Sequence, residues 1–234
     1  MIQEIRIKNY LSFRDEAVLS FEATKDTTFE ECQVVNVTPK VRLLRFALIY
    51  GANASGKSNL LNAMDFLCGF WFDKKSDIDE ETGVLPFLLD TETPNEPSEF
   101  NIKFFVDDKR YWYTLVLNDK QVIKENLYVY NSVQPSLVFS RELDGTASLI
   151  KLNASLVKAN ATIVEQLNVK CLSNMSFFAA RNQVNCSLAY IDEVRDWMKN
   201  NMMPIIEPGT RMFEYAGKQM EKNAELKAYI LDFV

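Results

Sequence analysis

The sequence predicts an α/β fold: a mixed-sheet core, a β-meander inserted into it, and helices toward the C-terminal end. Three observations carry this reading. An almost wholly apolar run, Leu43 to Tyr50, enters a glycine-bearing loop and is followed at once by a segment of helical period. From Phe100 to Tyr130 the apolar period shortens to two, in residues that are largely aromatic or β-branched. After Ala159 the texture turns helical.

Taken in order, Ile2, Ile5 and Ile7 stand against charged neighbours and define a first strand over 2–8, with Ala17 to Ala23 as a second strand paired to it. Leu43 to Tyr50 reads as a strand covered on both faces. From Lys57 to Phe72 the side chains of Leu60, Leu61, Met64, Leu67 and Cys68 share one helical face. Residues 73–98 are acidic and polar, carry Pro86, Pro94 and Pro97, and are expected to be a linker or irregular excursion. Phe100–Val106, Arg110–Asn118 and Gln121–Tyr130 form the meander, with Asp107-Asp108 and Asn118-Asp119 as its turns. Asp144-Gly145 marks another hairpin. A helix at 159–169, a short apolar strand at Met175–Ala180 and helices at 187–200 and 210–232 complete the pattern, with Pro204 and Pro208 punctuating the last two. The expected division is 1–72 for the N-terminal part of a core, 73–174 for linker and β-rich insertion, and 175–234 for a helical segment returning to that core.

Composition narrows the chemistry. The chain of 234 residues is 47% hydrophobic and 12% aromatic, which excludes disorder throughout. It contains no histidine, which removes Ser-His-Asp triads, Cys-His pairs and histidine zinc sites. The net charge is −6 and no dense Lys/Arg cluster is present, so direct nucleic-acid binding by this segment is disfavoured, with a basic patch created by folding left open. The longest apolar run, Phe66 to Phe72, is far short of the ~18 residues a membrane helix needs, and the N-terminus does not read as a signal peptide. Cys32, Cys68, Cys171 and Cys186 form no CxxC pair and read as reduced, mostly buried thiols of a cytoplasmic protein.

The chemistry-bearing motif is Gly51-Ala52-Asn53-Ala54-Ser55-Gly56-Lys57-Ser58, which satisfies GxxxxGK[ST] in full. Its glycines let the backbone wrap phosphates in conformations other residues resist. Successive amides and the N-terminus of the next helix present positive ends to a β-phosphate. Lys57 is placed to reach β- and γ-oxygens and to offset charge that develops in transfer, and Ser58 offers a hydroxyl to Mg²⁺. The strand–loop–helix context is the one the motif requires.

Around this loop the sequence resembles a known group. Ile5-Arg6-Ile7-Lys8-Asn9-Tyr10-Leu11-Ser12-Phe13, and then Ile49-Tyr50 through the loop to Asn59-Leu60-Leu61, resemble the N-terminal half of RecF/SMC-type ABC ATPase heads. More narrowly, they are similar to the AAA-like ATPases of bacterial phage-defence operons, relatives of the OLD nucleases. Phe87, Glu99-Phe100-Asn101-Ile102, Tyr111-Trp112-Tyr113, Glu125-Asn126-Leu127 and Asp196-Trp197-Met198-Lys199-Asn200 extend the resemblance more weakly. It implies ATP with Mg²⁺, two heads closing around two nucleotides as a homodimer or higher homo-oligomer, and control of an effector such as a nuclease or toxin. By position it implies that Asn53 to Asn59 hold phosphates, that Ser12 or Phe13 approaches the base, and that Gln183 positions Mg²⁺ or water. The group's signature segment, its strand ending in Asp-Glu and its usual switch histidine have no counterpart here, so the chain is expected to be roughly the first half of a longer ATPase.

Leu188-Ala189-Tyr190-Ile191-Asp192-Glu193 superficially matches such a strand and carboxylate, but Leu188, Ile191, Val194 and Met198 recur at helical spacing and favour an amphipathic helix. An alternative from a different class is a non-hydrolytic scaffold held by nucleotide; a small-molecule kinase or GTPase ranks lower, there being no Asn-Lys-x-Asp motif. A further reading makes Phe104, Phe105, Tyr111, Trp112, Tyr113, Tyr128 and Tyr130 a base-stacking surface, against which core packing is favoured.

Overall fold

The alternation Ile2-Gln3-Glu4-Ile5-Arg6-Ile7-Lys8 produces a strand, β1 (Ile2–Lys8), that buries Ile5 and Ile7 on one face. In the computed structural model, which describes residues 1–203, 205–207 and 209–232, β1 is flanked by β2 (Ala17–Ser20) and β5 (Ser98–Val106). The sheet then continues through β6 (Lys109–Leu117), β7 (Val122–Tyr130), β8 (Ser136–Asp144) and β9 (Ala147–Leu152). All neighbours are antiparallel, in the order β2-β1-β5-β6-β7-β8-β9. The meander therefore extends the N-terminal pair into one seven-stranded sheet. Asp107 (φ 50°) and Gly145 (φ 63°) occupy the tight turns read from the sequence.

Helices cover one face of this sheet. α2 (Lys57–Phe70) stacks Phe66 on Phe100, with ring centroids 5.3 Å apart, and Trp71 just past its end meets Tyr113 edge-on. α4 (Phe177–Arg181) sets Phe177 on Phe139 at 4.0 Å, and α5 (Ile191–Asn201) sets Trp197 on Phe104 at 4.3 Å. α3 (Ala161–Lys170) lies against β9, where the Ile150 amide donates to Asn168 Oδ1. Of the aromatics weighed as a stacking surface, Phe104, Tyr111 and Tyr113 are buried beneath the helices, and on the opposite face Phe105 is buried while Trp112, Tyr128 and Tyr130 are half-buried.

A short helix α1 (Glu30–Gln33) and a separate hairpin, β3 (Val34–Thr38) with β4 (Val41–Leu44), fill the segment that the sequence reading left without assignment. Several expectations are corrected. The strand expected over Leu43–Tyr50 stops at Leu44, because β3 pairs only with residues 41–44 and no strand lies beside 45–50 among the described residues. Met175–Ala180 is not a strand: Ser176 caps α4 by accepting from the Phe178 amide, and a short apolar run is equally suited to a buried helix. The excursion 73–98 is pinned rather than loose, since Asn174 Nδ2 donates to the carbonyls of Asp77 and Glu80 and Thr82 Oγ1 to that of Asn118. Only Cys171 among the thiols is fully buried, and Cys32 is exposed.

Residues 1–204 make one compact unit and residues 205–234 another. In the second, the single helix expected over 210–232 is two, α6 (Phe213–Lys222) and α7 (Ala224–Leu231). Asn223, extended at φ −132°, ends one and caps the next by accepting from the Leu226 amide. Pro204 and Pro208 lie outside the described residues.

Candidate nucleotide-binding site

The loop Gly51–Ser58 joins an unpaired lead-in to α2. Phe46, Leu48 and Tyr50 in that lead-in are 71%, 74% and 88% exposed, and no amide from Phe46 to Tyr50 makes a hydrogen bond among the described residues. Within the loop the Ser55 amide closes a turn on the Ala52 carbonyl at 3.3 Å. The amides of Asn53, Ala54, Gly56, Lys57 and Ser58 have no acceptor among the described residues. α2 begins at Gly56 with no side-chain cap and no acidic residue in its first turn, so its positive pole is open to an anion.

Backbone conformation explains the glycines. Gly56 sits at φ +89°, and a Cβ there would lie 3.0 Å from Ser12 Oγ and 3.4 Å from the Phe13 ring. A Cβ on Gly51 would meet Ser55 Oγ at 3.1 Å. Ala54 adopts φ 62°, a left-handed conformation that costs an L-residue ~1–2 kcal/mol and is the kind of strain found at binding loops. Gly56→Ala is expected to lower stability by ~1–2 kcal/mol and to weaken nucleotide binding together with it, read by urea unfolding and ATP titration.

Lys57 turns back over the loop. Its Nζ donates to the carbonyls of Gly51 at 2.9 Å and Ala52 at 2.6 Å and approaches Ser55 Oγ at 3.4 Å. The ammonium is thus held against the backbone of the same loop that carries the free amides. The Ser58 hydroxyl makes no hydrogen bond among the described residues, which leaves both its lone pairs available to a cation. Asn59 Oδ1 accepts from Asn62 Nδ2 one turn along α2. These residues fit a polyphosphate: five unused donors, an ammonium held at the same loop, and glycines where a side chain would intrude.

The structure brings Ser12 and Phe13 to this loop by means the sequence reading missed. Asn9, buried and at φ 50°, donates from Nδ2 to the carbonyls of Thr93 and Glu96, each at 2.8 Å, and accepts the Phe87 amide on Oδ1. Its own carbonyl takes the Ser98 hydroxyl. Every polar atom of the side chain is used, which locks the tight turn Tyr10–Phe13 against Gly56. An Asn directly after an alternating strand, a residue type that tolerates the left-handed conformation, was the available sequence cue. Tyr10 packs between Phe66 and Phe100, and its hydroxyl, pushed up to about 12 by burial and then by Asp65, donates to the Asn62 carbonyl.

Gln183 follows α4, and its Nε2 bonds back to the Ala179 carbonyl at 3.5 Å; none of its hydrogen bonds reaches residues 51–59. Asp192 and Glu193 lie in the first turn of α5, as the helical reading expected. Asp192 accepts the Leu188 amide and pairs with Arg181 at 2.8 Å, while Glu193 pairs with Lys109 at 2.7 Å. Both carboxylates are committed to holding α5 in place. No cluster of three metal-ligating His, Cys, Asp or Glu side chains exists among the described residues.

Residues 46–151 match a family model described as an AAA domain, putative AbiEii toxin, Type IV TA system. This stretch is similar to AAA-type P-loop domains. The match runs from the exposed lead-in through the loop, α2 and the meander into β9, and so takes in the loop and strands β5 to β9 but not β1 and β2. It supports an AAA-type, ATP-binding P-loop domain of the sort associated with toxin and defence systems. No curated protein matches the chain. No helix among the described residues is long and apolar enough to cross a membrane.

Proposed function

We propose that this chain binds ATP with Mg²⁺ at Gly51–Asn59 and serves as the head of an ATPase that closes on a second copy and thereby controls an effector, a nuclease or toxin in a defence setting. The observation that carries the proposal is the concentration, within residues 51–58, of five unpaired amides, the open N-terminus of α2 and Lys57. In this reading the amides hold the β-phosphate, Lys57 exchanges its carbonyl partners for β- and γ-oxygens, and Ser58 supplies a hydroxyl to the cation. Gln183 is assigned the role of orienting Mg²⁺ or water once the heads close. The bound triphosphate supplies the phosphoanhydride whose cleavage resets the dimer. Control of the effector follows from ligand-biased closure, in which contacts present only in the closed dimer shift the equilibrium toward it.

A second reading is a nucleotide-held scaffold that turns nothing over. It is favoured by one observation: Asp192 and Glu193, the nearest match to a catalytic carboxylate pair, are tied to Arg181 and Lys109. Three measurements on one sample separate the readings: ATP and GTP affinity, solution mass by light scattering with each nucleotide, and turnover by wild type and by Asp192→Asn/Glu193→Gln. Binding selective for ATP, mass doubling with ATP but not ADP, and turnover untouched by the double substitution are expected. Binding without turnover or dimerisation gives the scaffold, and a folded sample that binds no nucleotide ends both.

A further inference from the structure

At the start of β1, remote from the phosphate loop, a cavity of about 410 Å³ opens between the sheet, the segment after β2 and the turn joining β3 to β4. Gln3, Glu22, Lys25, Lys40, Arg42 and Arg110 line it. Four cations and one carboxylate converge here in a chain of net charge −6. The carboxylate is already engaged, since Glu22 accepts from Gln3 Nε2. Lys25, Lys40 and Arg110 have no carboxylate within ion-pair distance among the described residues.

Arg42 shows how the wall is built. Its two terminal nitrogens donate to the carbonyls of Thr24 and Asp26, and Nη2 pairs with Glu30 at 2.9 Å, which fixes the segment after β2. Its Nε, however, is sequestered without a partner. Arg110 is held differently, its guanidinium lying 4.5 Å from the centre of the Tyr130 ring, and its Nε is likewise sequestered and unpartnered. Gln3 is 3% exposed and its Oε1 receives no donor. Buried polar atoms are seldom left so, and here two N–H donors and one acceptor unmet by the protein belong to residues of a single cavity.

We propose that this cavity binds a phosphate-bearing ligand that also carries a hydrogen-bond donor. The ammonium groups of Lys25 and Lys40 take the phosphoryl oxygens, and a shift of the Arg42, Arg110 and Gln3 side chains into the cavity brings the two sequestered Nε–H groups to the same oxygens and Gln3 Oε1 to an O–H or N–H of the ligand. The volume lies within the ~300–1,000 Å³ range of small-ligand sites. The site is separate from the loop, because β1 carries the chain roughly 17 Å from Gln3 to Lys8 before the Ser12 turn begins. The proposal uses none of the loop's residues and stands independently of ATP binding there. Its phosphate belongs either to a free nucleotide, as a monoester, or to a single-stranded nucleic acid, as a backbone diester.

The test is calorimetric titration of inorganic pyrophosphate into the full chain carrying Lys57→Ala, which removes the loop ammonium. Adding Lys40→Gln and Arg110→Gln is expected to weaken pyrophosphate binding at least tenfold, whereas Lys124→Gln, an exposed lysine on the same sheet, leaves it unchanged. Lys40→Gln alone, at an exposed position, lowers it by a smaller factor with an unchanged melting curve. An affinity indifferent to the pair, or equally sensitive to Lys124→Gln, overturns the proposal. Displacement of pyrophosphate by 5′-AMP identifies the monoester source, and displacement by a twelve-residue oligothymidylate without terminal phosphate identifies the diester source. Displacement by neither means an adventitious anion only and also overturns it.

Discussion

Lys57→Ala is expected to weaken ATP binding by about 10- to 100-fold while leaving the melting curve close to that of wild type. The ammonium's partners are carbonyls and a hydroxyl of its own loop, all near the surface, so its loss removes little from the folded state. What disappears is a charge-assisted contact to phosphate oxygens, worth ~1.5–3 kcal/mol, which is the stated factor in affinity. Lys57→Arg tests geometry against charge, because it keeps the cation while replacing a compact ammonium with a planar fork of different reach. Equal ATP affinity in wild type and Lys57→Ala, measured by titration with Mg²⁺ present, removes the loop as the nucleotide site.

Arg141→Met is expected to cost ~3–5 kcal/mol at neutral pH, enough to unfold much of the population of an ordinary domain. Arg141 and Glu125 are both fully buried and lie 3.2 Å apart. Arg141 also donates to Ser148 Oγ and to the carbonyls of Leu172, Ser173 and Met175, and so binds β8 to the turn that leads into α4. Glu125 accepts the Tyr113 and Ser176 hydroxyls and the Phe177 amide. Burial pushes the Glu125 carboxyl up, with Arg141 the largest influence drawing it back. Without Arg141 the folded-state value rises further above the unfolded one. The folded state then binds the extra proton, so stability is present at low pH and is lost as pH rises through that raised value. The variant is therefore expected to gain stability between pH 7 and pH 5 while wild type changes little. Glu125→Gln added to Arg141→Met is expected to recover part of the loss, because it removes the uncompensated charge. Thermal melts of the three proteins at both pH values check this, and a single variant indifferent to pH would remove Glu125 as the cause.

The parts of the fold that were legible in the sequence are those set by local periodicity and local chemistry. The alternation in β1, the aromatic meander with its Asp-Asp and Asp-Gly turns and the α5 stripe emerged where expected, and so did the helix α2, although its buried face is Ala63, Leu67 and Phe70 and Leu61 of the expected stripe is exposed. The loop was legible residue by residue because GxxxxGK[ST] encodes a backbone path directly. What was not legible depends on long-range partners. Whether Met175–Ala180 became strand or helix was decided by Ser176 and by an arginine more than thirty residues earlier taking the preceding carbonyls. Leu43–Tyr50 had a strand's composition, but β pairing needs a neighbour, and only Val41–Leu44 has one. The Lys/Arg cluster was invisible for the same reason: Lys25, Lys40, Arg42 and Arg110 are scattered along the chain and meet only when the β3–β4 hairpin lies near the start of β1.

The lead-in Phe46–Tyr50 ties the behaviour of the loop to whatever orders that stretch. Each backbone residue held in one conformation costs ~1–2 kcal/mol of entropy, and five residues without a cross-strand hydrogen bond leave that cost to be met when the loop closes on phosphate. Their amides should therefore exchange with solvent far faster than those of Ile5 or Phe100, which lie inside the sheet ladder. A strand laid alongside Phe46–Tyr50 and a nucleotide bound at Gly51–Asn59 each reduce the ordering left for the other. Positive cooperativity between the two follows, without any change in the contacts either one makes.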